Sequence, residues 1–151
     1  MDDILLAYIQ RPDWDYERFC KDFASSTCYV PPLKLEDGRQ DTFLETTFNV
    51  QGNTIRYKLK NDNSGGLNKV WRYQHFWSHT AYIQKRAVLT GCLKKVQRMA
   101  SDRGMLYESA TEKLAEFTKL CYPKHMLRAA CTYMAATQNE RIWLDVRDYA
   151  L

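Results

Sequence analysis

The residues of this sequence with the clearest chemical potential are basic side chains in its second half. Residues 77–151 contain 12 Lys and Arg against 7 Asp and Glu, whereas residues 1–76 contain 10 against 11. Most of the excess comes from Lys85, Arg86, Lys94, Lys95, Arg98 and Arg103. A basic stripe of this kind suits a phosphate backbone or another acidic surface. A solvated helix face is the alternative interpretation of the same pattern.

Cysteine and histidine residues lack the spacing of a metal or redox site. The five cysteines include no CxxC pair, and we expect free thiols in a reducing, intracellular compartment. His75 and His79 are four residues apart and could bind a metal on a helix, but they have no third ligand. A structural role for the two histidines is therefore favoured.

Four closely spaced aromatic residues follow a polar loop, and two interpretations of them stay open. They could stack on nucleic-acid bases, or they could form core or interface contacts. The four are Trp71, Tyr73, Phe76 and Trp77. Neither a glycine-rich phosphate loop nor a GxSxG serine motif occurs in the sequence, so the corresponding enzyme classes have no support.

The first half of the chain predicts strands around a β-hairpin. An apolar strand is expected at Ile4–Ile9 and a helix from about Trp14 to Ala24. Residues 42–50 and 54–60 are strand-like, and Gln51, Gly52 and Asn53 between them favour a turn. The second run alternates apolar and basic side chains, which predicts one buried face and one cationic face. The apolar members are Ile55, Tyr57 and Leu59, and the basic members are Arg56, Lys58 and Lys60.

The second half predicts three amphipathic helices. Residues 82–99 form the first, which Ser101–Gly104 ends. Ser109 and Glu112 could form a capping box that opens the second. Pro123 suits the first turn of the third, and residues 142–151 could be strand or helix. The expected inward residues are Leu89, Cys92, Leu93, Val96 and Met99, then Leu114, Phe117 and Cys121, then Leu127, Ala130, Cys131 and Met134.

Together these elements predict an α+β fold with two parts. Residues 1–66 would carry the strand, helix and hairpin, and residues 67–151 would form an all-α module, with a boundary in the loop at 61–66. An aromatic content of 13% excludes disorder as the dominant state. No uncharged stretch approaches the roughly 18 apolar residues of a membrane span. Asp2 and Asp3 also replace the basic start of a signal peptide.

Several short motifs, taken in order, carry a resemblance to a known family. They are Met1-Asp2-Asp3, Leu33-Lys34-Leu35-Glu36, Phe43-Leu44-Glu45, Trp71-Arg72-Tyr73, Ser78-His79, Lys85-Arg86-Ala87-Val88 and Tyr122-Pro123. In this order they resemble the second half of retroelement reverse transcriptases of the LINE-like or Penelope-like sort. The resemblance covers roughly residues 1–135.

The resemblance implies a palm remnant at 1–66 followed by a helical, thumb-like module at 67–151. Asp2 and Asp3 would then lie at the catalytic turn and bind Mg²⁺, in a site where two metal ions act together. The hairpin would correspond to the primer grip, which would place Arg56, Lys58 and Lys60 near the primer backbone. The thumb helix would follow an RNA–DNA duplex through Lys85, Arg86, Lys94, Lys95 and Arg98.

The same resemblance limits what this chain is expected to do alone. The sequence begins at the Asp-Asp turn, so we expect RNA-directed DNA synthesis only if the remaining palm and the fingers are supplied. Without them, Asp2 and Asp3 would be a solvated N-terminus. Two functions stay open. The first is a nucleic-acid-binding reverse-transcriptase fragment. The second is a non-catalytic structural subunit that docks by its aromatic surface into a larger protein assembly.

Overall fold

The structure is a computed structural model that describes residues 14–25, 42–61 and 72–150. Within these residues the order is α1 (Tyr16–Ala24), β1 (Thr42–Phe43), β2 (Thr46–Gln51), β3 (Thr54–Leu59), α2 (Tyr82–Arg98), α3 (Arg103–Lys119), α4 (Lys124–Gln138) and α5 (Ile142–Ala150). The mixed α+β fold is as predicted. The expected strand at Ile4–Ile9 and the expected boundary near residue 66 lie outside the described residues.

Helix α1 confirms the helix predicted near the start of the chain. Its first turn is capped by Asp15, whose carboxylate accepts a hydrogen bond from the Arg18 backbone N–H at 3.0 Å. The Phe19 ring lies 5.3 Å from Trp14 and 6.0 Å from Phe23, measured between ring centroids. The predicted apolar face therefore exists as a row of aromatic contacts along the helix.

The hairpin forms as predicted, with a tighter turn. Gln51 belongs to β2 and pairs with Thr54, so the turn contains only Gly52 and Asn53. Gly52 has a φ of +58°, a left-handed conformation that glycine adopts without strain. Strand β1 adds a third antiparallel strand, joined to β2 through Leu44 and Glu45.

The prediction that the apolar face of β3 is buried is wrong for most of that face. Leu59 lies in the core, but Ile55 is 53% exposed and Tyr57 is 37% exposed. The reason is that β3 contacts the helices through its edge and its polar face. Its Tyr57 N–H donates to Ser101 Oγ at 3.0 Å, and the Ser101 N–H donates to the Tyr57 carbonyl at 2.9 Å.

Helices α2 to α5 surround one apolar core that largely matches the prediction. Of the residues predicted to face inward, the buried ones are Leu89, Cys92, Leu93 and Val96 on α2, Leu114 and Phe117 on α3, and Leu127, Ala130, Cys131 and Met134 on α4. Met99, also predicted to face inward, is partly buried and packs against the core. The undecided tail is helix α5, which inserts the fully buried Trp143. The Trp143 indole N–H donates to Gln97 Oε1 on α2 at 2.6 Å.

The predicted start of α3 is wrong by about two turns. Asp102 is the N-cap, and its carboxylate accepts from the Met105 backbone N–H at 3.0 Å. Ser109 is therefore buried inside the helix rather than capping it. Cys121, predicted to face inward, is exposed because it follows the helix end in a left-handed conformation with a φ of +63°.

Candidate nucleic-acid interface

Helix α2 presents an unusually one-sided set of charges. Its residues include five Lys or Arg and no Asp or Glu. Because Leu89, Leu93 and Val96 face the core, the 100° step per residue directs the opposite face outward. That outward face contains Ile83, Ala87, Gly91, Lys94 and Arg98.

Lys85 is the one basic residue of α2 that is buried. Its side chain inserts beneath the segment that precedes the helix, where Nζ donates to the Ser78 carbonyl at 2.7 Å. The same ammonium lies 5.3 Å from the centroid of the Phe76 ring. The expected contact of Lys85 with nucleic acid does not fit this burial, and the residue instead holds the approach to α2 in place.

Lys95 is held by the turn that joins β1 to β2. Glu45 in that turn binds the Lys95 ammonium and, at 3.2 Å, the Arg72 guanidinium. The hydrogen bond from Lys95 lowers the pKa of Glu45, with a smaller contribution from Arg72. Lys60 lies next to the same turn, and its backbone N–H donates to the Glu45 carbonyl at 2.7 Å. Glu45 thereby joins the hairpin to α2.

Arg56 and Lys58 on β3 bind carboxylates of α3. Arg56 makes a two-pronged contact with Asp102, with Nε and Nη2 each 2.9 Å from a carboxylate oxygen. This guanidinium is the main reason that the pKa of Asp102 lies well below its usual range. Lys58 Nζ lies 2.6 Å from Glu108 and 2.9 Å from Glu112. The predicted cationic face of the hairpin is therefore neutralised by α3, and a phosphate would have to displace these carboxylates.

Three cations of α2 have no carboxylate partner among the described residues: Arg86, Lys94 and Arg98. Lys94 and Arg98 lie on the outward face, and Arg86 lies on the flank of the helix beside it; we call these three the α2 cationic face. Over twelve residues at 1.5 Å each, they span about 18 Å along the helix. One strand of a nucleic-acid duplex carries a phosphate about every 3.4 Å of axis, so this span covers about five nucleotides. Arg86 and Arg98 are exposed, and Lys94 is half-buried.

The predicted aromatic group divides between core and surface. Tyr73 packs on the Phe117 ring at 4.8 Å, and Phe76 packs on Tyr122 at 5.4 Å, so both belong to the core edge. Burial is the largest cause of the raised pKa of the Tyr73 hydroxyl, which also lies 3.1 Å from Cys92 Sγ. Trp77 is 76% exposed and so meets the requirement for a stacking surface. Trp71 lies outside the described residues.

The other chemical candidates do not form a centre in the part of the chain that the structure describes. His75 and His79 precede α2 rather than lying on a helix, and His75 Nδ1 accepts from the Trp77 N–H at 3.3 Å. No group of three His, Cys, Asp or Glu side chains that could hold a metal occurs there. Asp2 and Asp3 lie outside the described residues, and their expected binding of Mg²⁺ stays a prediction.

The described cysteines are free thiols, as expected. They are Cys20, Cys92, Cys121 and Cys131. Burial raises the pKa of Cys131 to about 11 and also raises the pKa of Cys92. These two side chains therefore behave as small core residues rather than nucleophiles. Cys28 lies outside the described residues.

Sequence reasoning missed Tyr133, which lies beside the α2 cationic face. Tyr133 lies on α4, and the Lys94 ammonium of the α2 cationic face lies 5.5 Å from its ring centroid. The helical pattern of α4 indicates that Tyr133 faces away from Leu127 and Cys131. That pattern could have marked it as an exposed aromatic residue, but not as a neighbour of α2.

Searches of protein-family models, curated proteins and solved structures found no match to this chain. The resemblance to reverse transcriptases therefore rests on the sequence motifs alone. Among the described residues, no helix is both long and apolar enough to cross a membrane. The geometry of α2 and its neighbours is consequently the main guide to function.

Proposed function

We propose that this chain is a nucleic-acid-binding unit of the reverse-transcriptase type, in which the α2 cationic face binds the phosphate backbone of an RNA–DNA duplex. The observation that carries the proposal is the absence of any acidic residue in α2, together with the lack of a described carboxylate partner for Arg86, Lys94 and Arg98. The choice of an RNA–DNA duplex comes from the motif resemblance.

The other cations of α2 and β3 already make contacts within the protein, unlike those of the α2 cationic face. Arg56, Lys58 and Lys95 bind carboxylates, and Lys85 binds a carbonyl. Among the described residues of α2 and β3, a phosphate could therefore bind the cations of the α2 cationic face without first breaking an ion pair or a hydrogen bond to a carbonyl. Because Arg86 and Arg98 are exposed and keep much of their hydration, we expect the binding energy to come mainly from counterion release.

Salt dependence tests the proposal. Three phosphate contacts predict a slope of about −2.7 for log K against log salt, or about a 40-fold loss of affinity between roughly 50 and 200 mM salt. Fluorescence anisotropy with a labelled RNA–DNA duplex would measure the slope. We expect the triple variant Arg86→Gln, Lys94→Gln and Arg98→Gln to lose most of the dependence of log K on log salt.

The matched control removes the same charge elsewhere. Lys119→Gln, Lys124→Gln and Arg141→Gln change three exposed residues near the ends of α3 and α4. This variant should keep the slope of the unmodified chain. Equal slopes for both triple variants would contradict the assignment to α2, and a flat slope for the unmodified chain would contradict nucleic-acid binding altogether.

Catalysis belongs to the proposal only for a completed polymerase. In that setting Asp2 and Asp3 would hold Mg²⁺, which supplies the metal-ion chemistry of nucleotide addition. The test is primer extension by this chain in its native assembly, isolated from its own cells. Asp2→Ala should abolish extension there while leaving duplex affinity unchanged. Unaltered extension by the variant would exclude a catalytic role for Asp2.

A second candidate function is docking into a larger protein assembly, and the outer face of the hairpin favours it. Val50 is 67% exposed and pairs with the exposed Ile55, and the neighbouring Phe48 and Tyr57 rings lie 6.2 Å apart. The ion pairs to α3 lie on the opposite face, so this apolar face carries no charge of its own. Apolar, aromatic surface of this kind is typical of protein interfaces.

The native mass of the tagged chain in its own cells tests this candidate. A docked subunit should run as part of a large complex, and Val50→Lys with Ile55→Glu should release it as a monomer. The control Gln51→Lys with Thr54→Glu places the same charges on an exposed cross-strand pair of the opposite face. A monomer before any substitution would exclude docking.

A further inference from the structure

We propose that Tyr133, with Lys94 beside it, is a stacking site for one unpaired base, so that the α2 cationic face binds single-stranded nucleic acid or a single-stranded overhang better than an uninterrupted duplex. The proposal deepens the proposed function and rests on it, because stacking adds to binding that the phosphate contacts already provide. It concerns a residue on α4, outside the motifs that carry the family resemblance.

Tyr133 lies where an aromatic ring and a cation meet at the surface. Helix α4 packs against α2, and this contact brings the Lys94 ammonium to 5.5 Å from the Tyr133 ring centroid. Tyr133 is nevertheless 45% exposed. A base that stacks on the exposed part of the ring would therefore lie next to a cation able to bind its phosphate.

The neighbours of Tyr133 on α4 leave its ring accessible. One turn before it are Ala129 and Ala130, and one turn after it are Ala136 and Thr137, all of them too small to cover an aromatic ring. The hydroxyl of Tyr133 makes no hydrogen bond with the described residues, whereas its backbone carbonyl accepts from Thr137 Oγ1 at 2.9 Å. Tyr133 is not one of the buried core residues, and the described contact of its ring is the one with Lys94.

The other exposed aromatic residues near α2 differ from Tyr133 in their surroundings. Trp77 and Tyr82 both contact the Phe76 ring, at 5.5 and 6.5 Å, and no described cation lies over either ring. Tyr82 is similarly exposed, at 52%, so it serves as a matched control of the same residue type. The contact with a cation of the proposed phosphate-binding surface is what distinguishes Tyr133.

The preference for unpaired bases follows from which part of a base each nucleic acid exposes. In a duplex the faces of the bases stack on each other, and only their edges reach the grooves. An unpaired base offers a free face, and stacking on an aromatic side chain tolerates any base because every base has such a face. An exposed tyrosine ring therefore adds affinity for single-stranded segments and little for a continuous duplex.

The test compares two oligonucleotides that carry the same charge. A labelled single strand and an abasic strand of equal length differ only in their bases, so phosphate binding is common to both. By fluorescence anisotropy we expect the unmodified chain to bind the base-bearing strand about 5- to 150-fold more tightly. Tyr133→Leu should lower this affinity ratio to about one without altering the salt slope. Tyr133→Phe and Tyr82→Leu should leave the ratio unchanged.

The outcomes separate this inference from the proposed function. If the unmodified chain binds both strands equally with a steep salt slope, the stacking site is wrong and phosphate binding stands. If the unmodified chain binds neither strand nor duplex, both proposals fail. Tyr133 is partly exposed, so Tyr133→Leu should fold normally, and an unchanged melting curve excludes unfolding as the cause of any loss.

Discussion

The contact between Trp143 and Gln97 should be a main support of the helical core. Trp143 is fully buried on α5, and its indole N–H donates to Gln97 Oε1 in the last turns of α2. Replacing Trp143 with Phe removes this donor and leaves the Gln97 amide without its partner, at a cost of about 1–3 kcal/mol. The smaller ring adds a cavity cost of about 1–2 kcal/mol, between typical values for Ile→Val and Trp→Ala.

The expected loss of unfolding free energy for Trp143→Phe is therefore about 2–5 kcal/mol, out of a typical total of 5–15 kcal/mol. At about 2–4 °C per kcal/mol for a chain of this size, the melting temperature should fall by roughly 4–20 °C. Urea denaturation followed by far-ultraviolet circular dichroism is the suitable assay, because the substitution also changes the tryptophan fluorescence.

A double-mutant cycle separates the hydrogen bond from the cavity. Gln97→Met in the Trp143→Phe background removes the unsatisfied amide and should recover about 1 kcal/mol of the loss. The control Trp77→Phe changes the same residue type at an exposed position and should stay within about 0.5 kcal/mol. A loss below about 0.5 kcal/mol for Trp143→Phe, or no coupling with Gln97, would refute the role given to this contact.

Three further predictions concern the hairpin, the acid sensitivity and the thiols. Gly52→Ala imposes a side chain on a φ of +58° where no atom lies within 4 Å of the added Cβ, so conformational strain alone should lower stability by about 1–2 kcal/mol in urea denaturation. Asp102 has a lowered pKa because of Arg56, so its stabilising effect is present above the unfolded value of about 3.9 and is lost as the pH falls towards the folded value. Asp102→Asn should thus flatten the acid side of a stability–pH curve, and an unchanged curve would argue against the ion pair. Iodoacetamide should modify Cys121 much faster than Cys131 in the native state, as measured by peptide mass spectrometry, and equal rates would contradict the burial of Cys131.

Local patterns in the sequence predicted the elements well, because hairpin turns and helical periodicity are determined by neighbouring residues. The glycine turn at Gly52 and the buried stripe of α2 are of this kind. The start of α3 was missed because both Asp102 and Ser109 fit a capping position. Asp102 is the cap in the structure, where it also binds Arg56, a residue 46 positions earlier. A local rule contains no information on that second contact.

The candidate site was harder to predict, since alternation in β3 defines two faces without saying which one packs against the helices. The alternation predicts Arg56 and Lys58 as part of a free cationic face. In the structure these two side chains instead bind Asp102, Glu108 and Glu112 at α3. Tyr133 shows the converse case. Its exposure follows from periodicity, but its contact with Lys94 depends on how α4 packs on α2, which the sequence pattern alone does not specify.

The described basic residues of β3 and α2 fall into two groups that a substitution scan would confuse. Lys58, Lys85 and Lys95 make contacts between elements, so their loss would weaken nucleic-acid binding indirectly by destabilising the hairpin or the start of α2. Arg86 and Arg98 make no such described contacts, so their loss would weaken binding at full stability. Lys94 is counted with them as a proposed phosphate contact, although its ammonium also lies over the Tyr133 ring of α4. Affinity measured together with unfolding free energy for each variant therefore tells a phosphate contact from a structural one. The proposal for the α2 cationic face requires that only the second group loses affinity without losing stability.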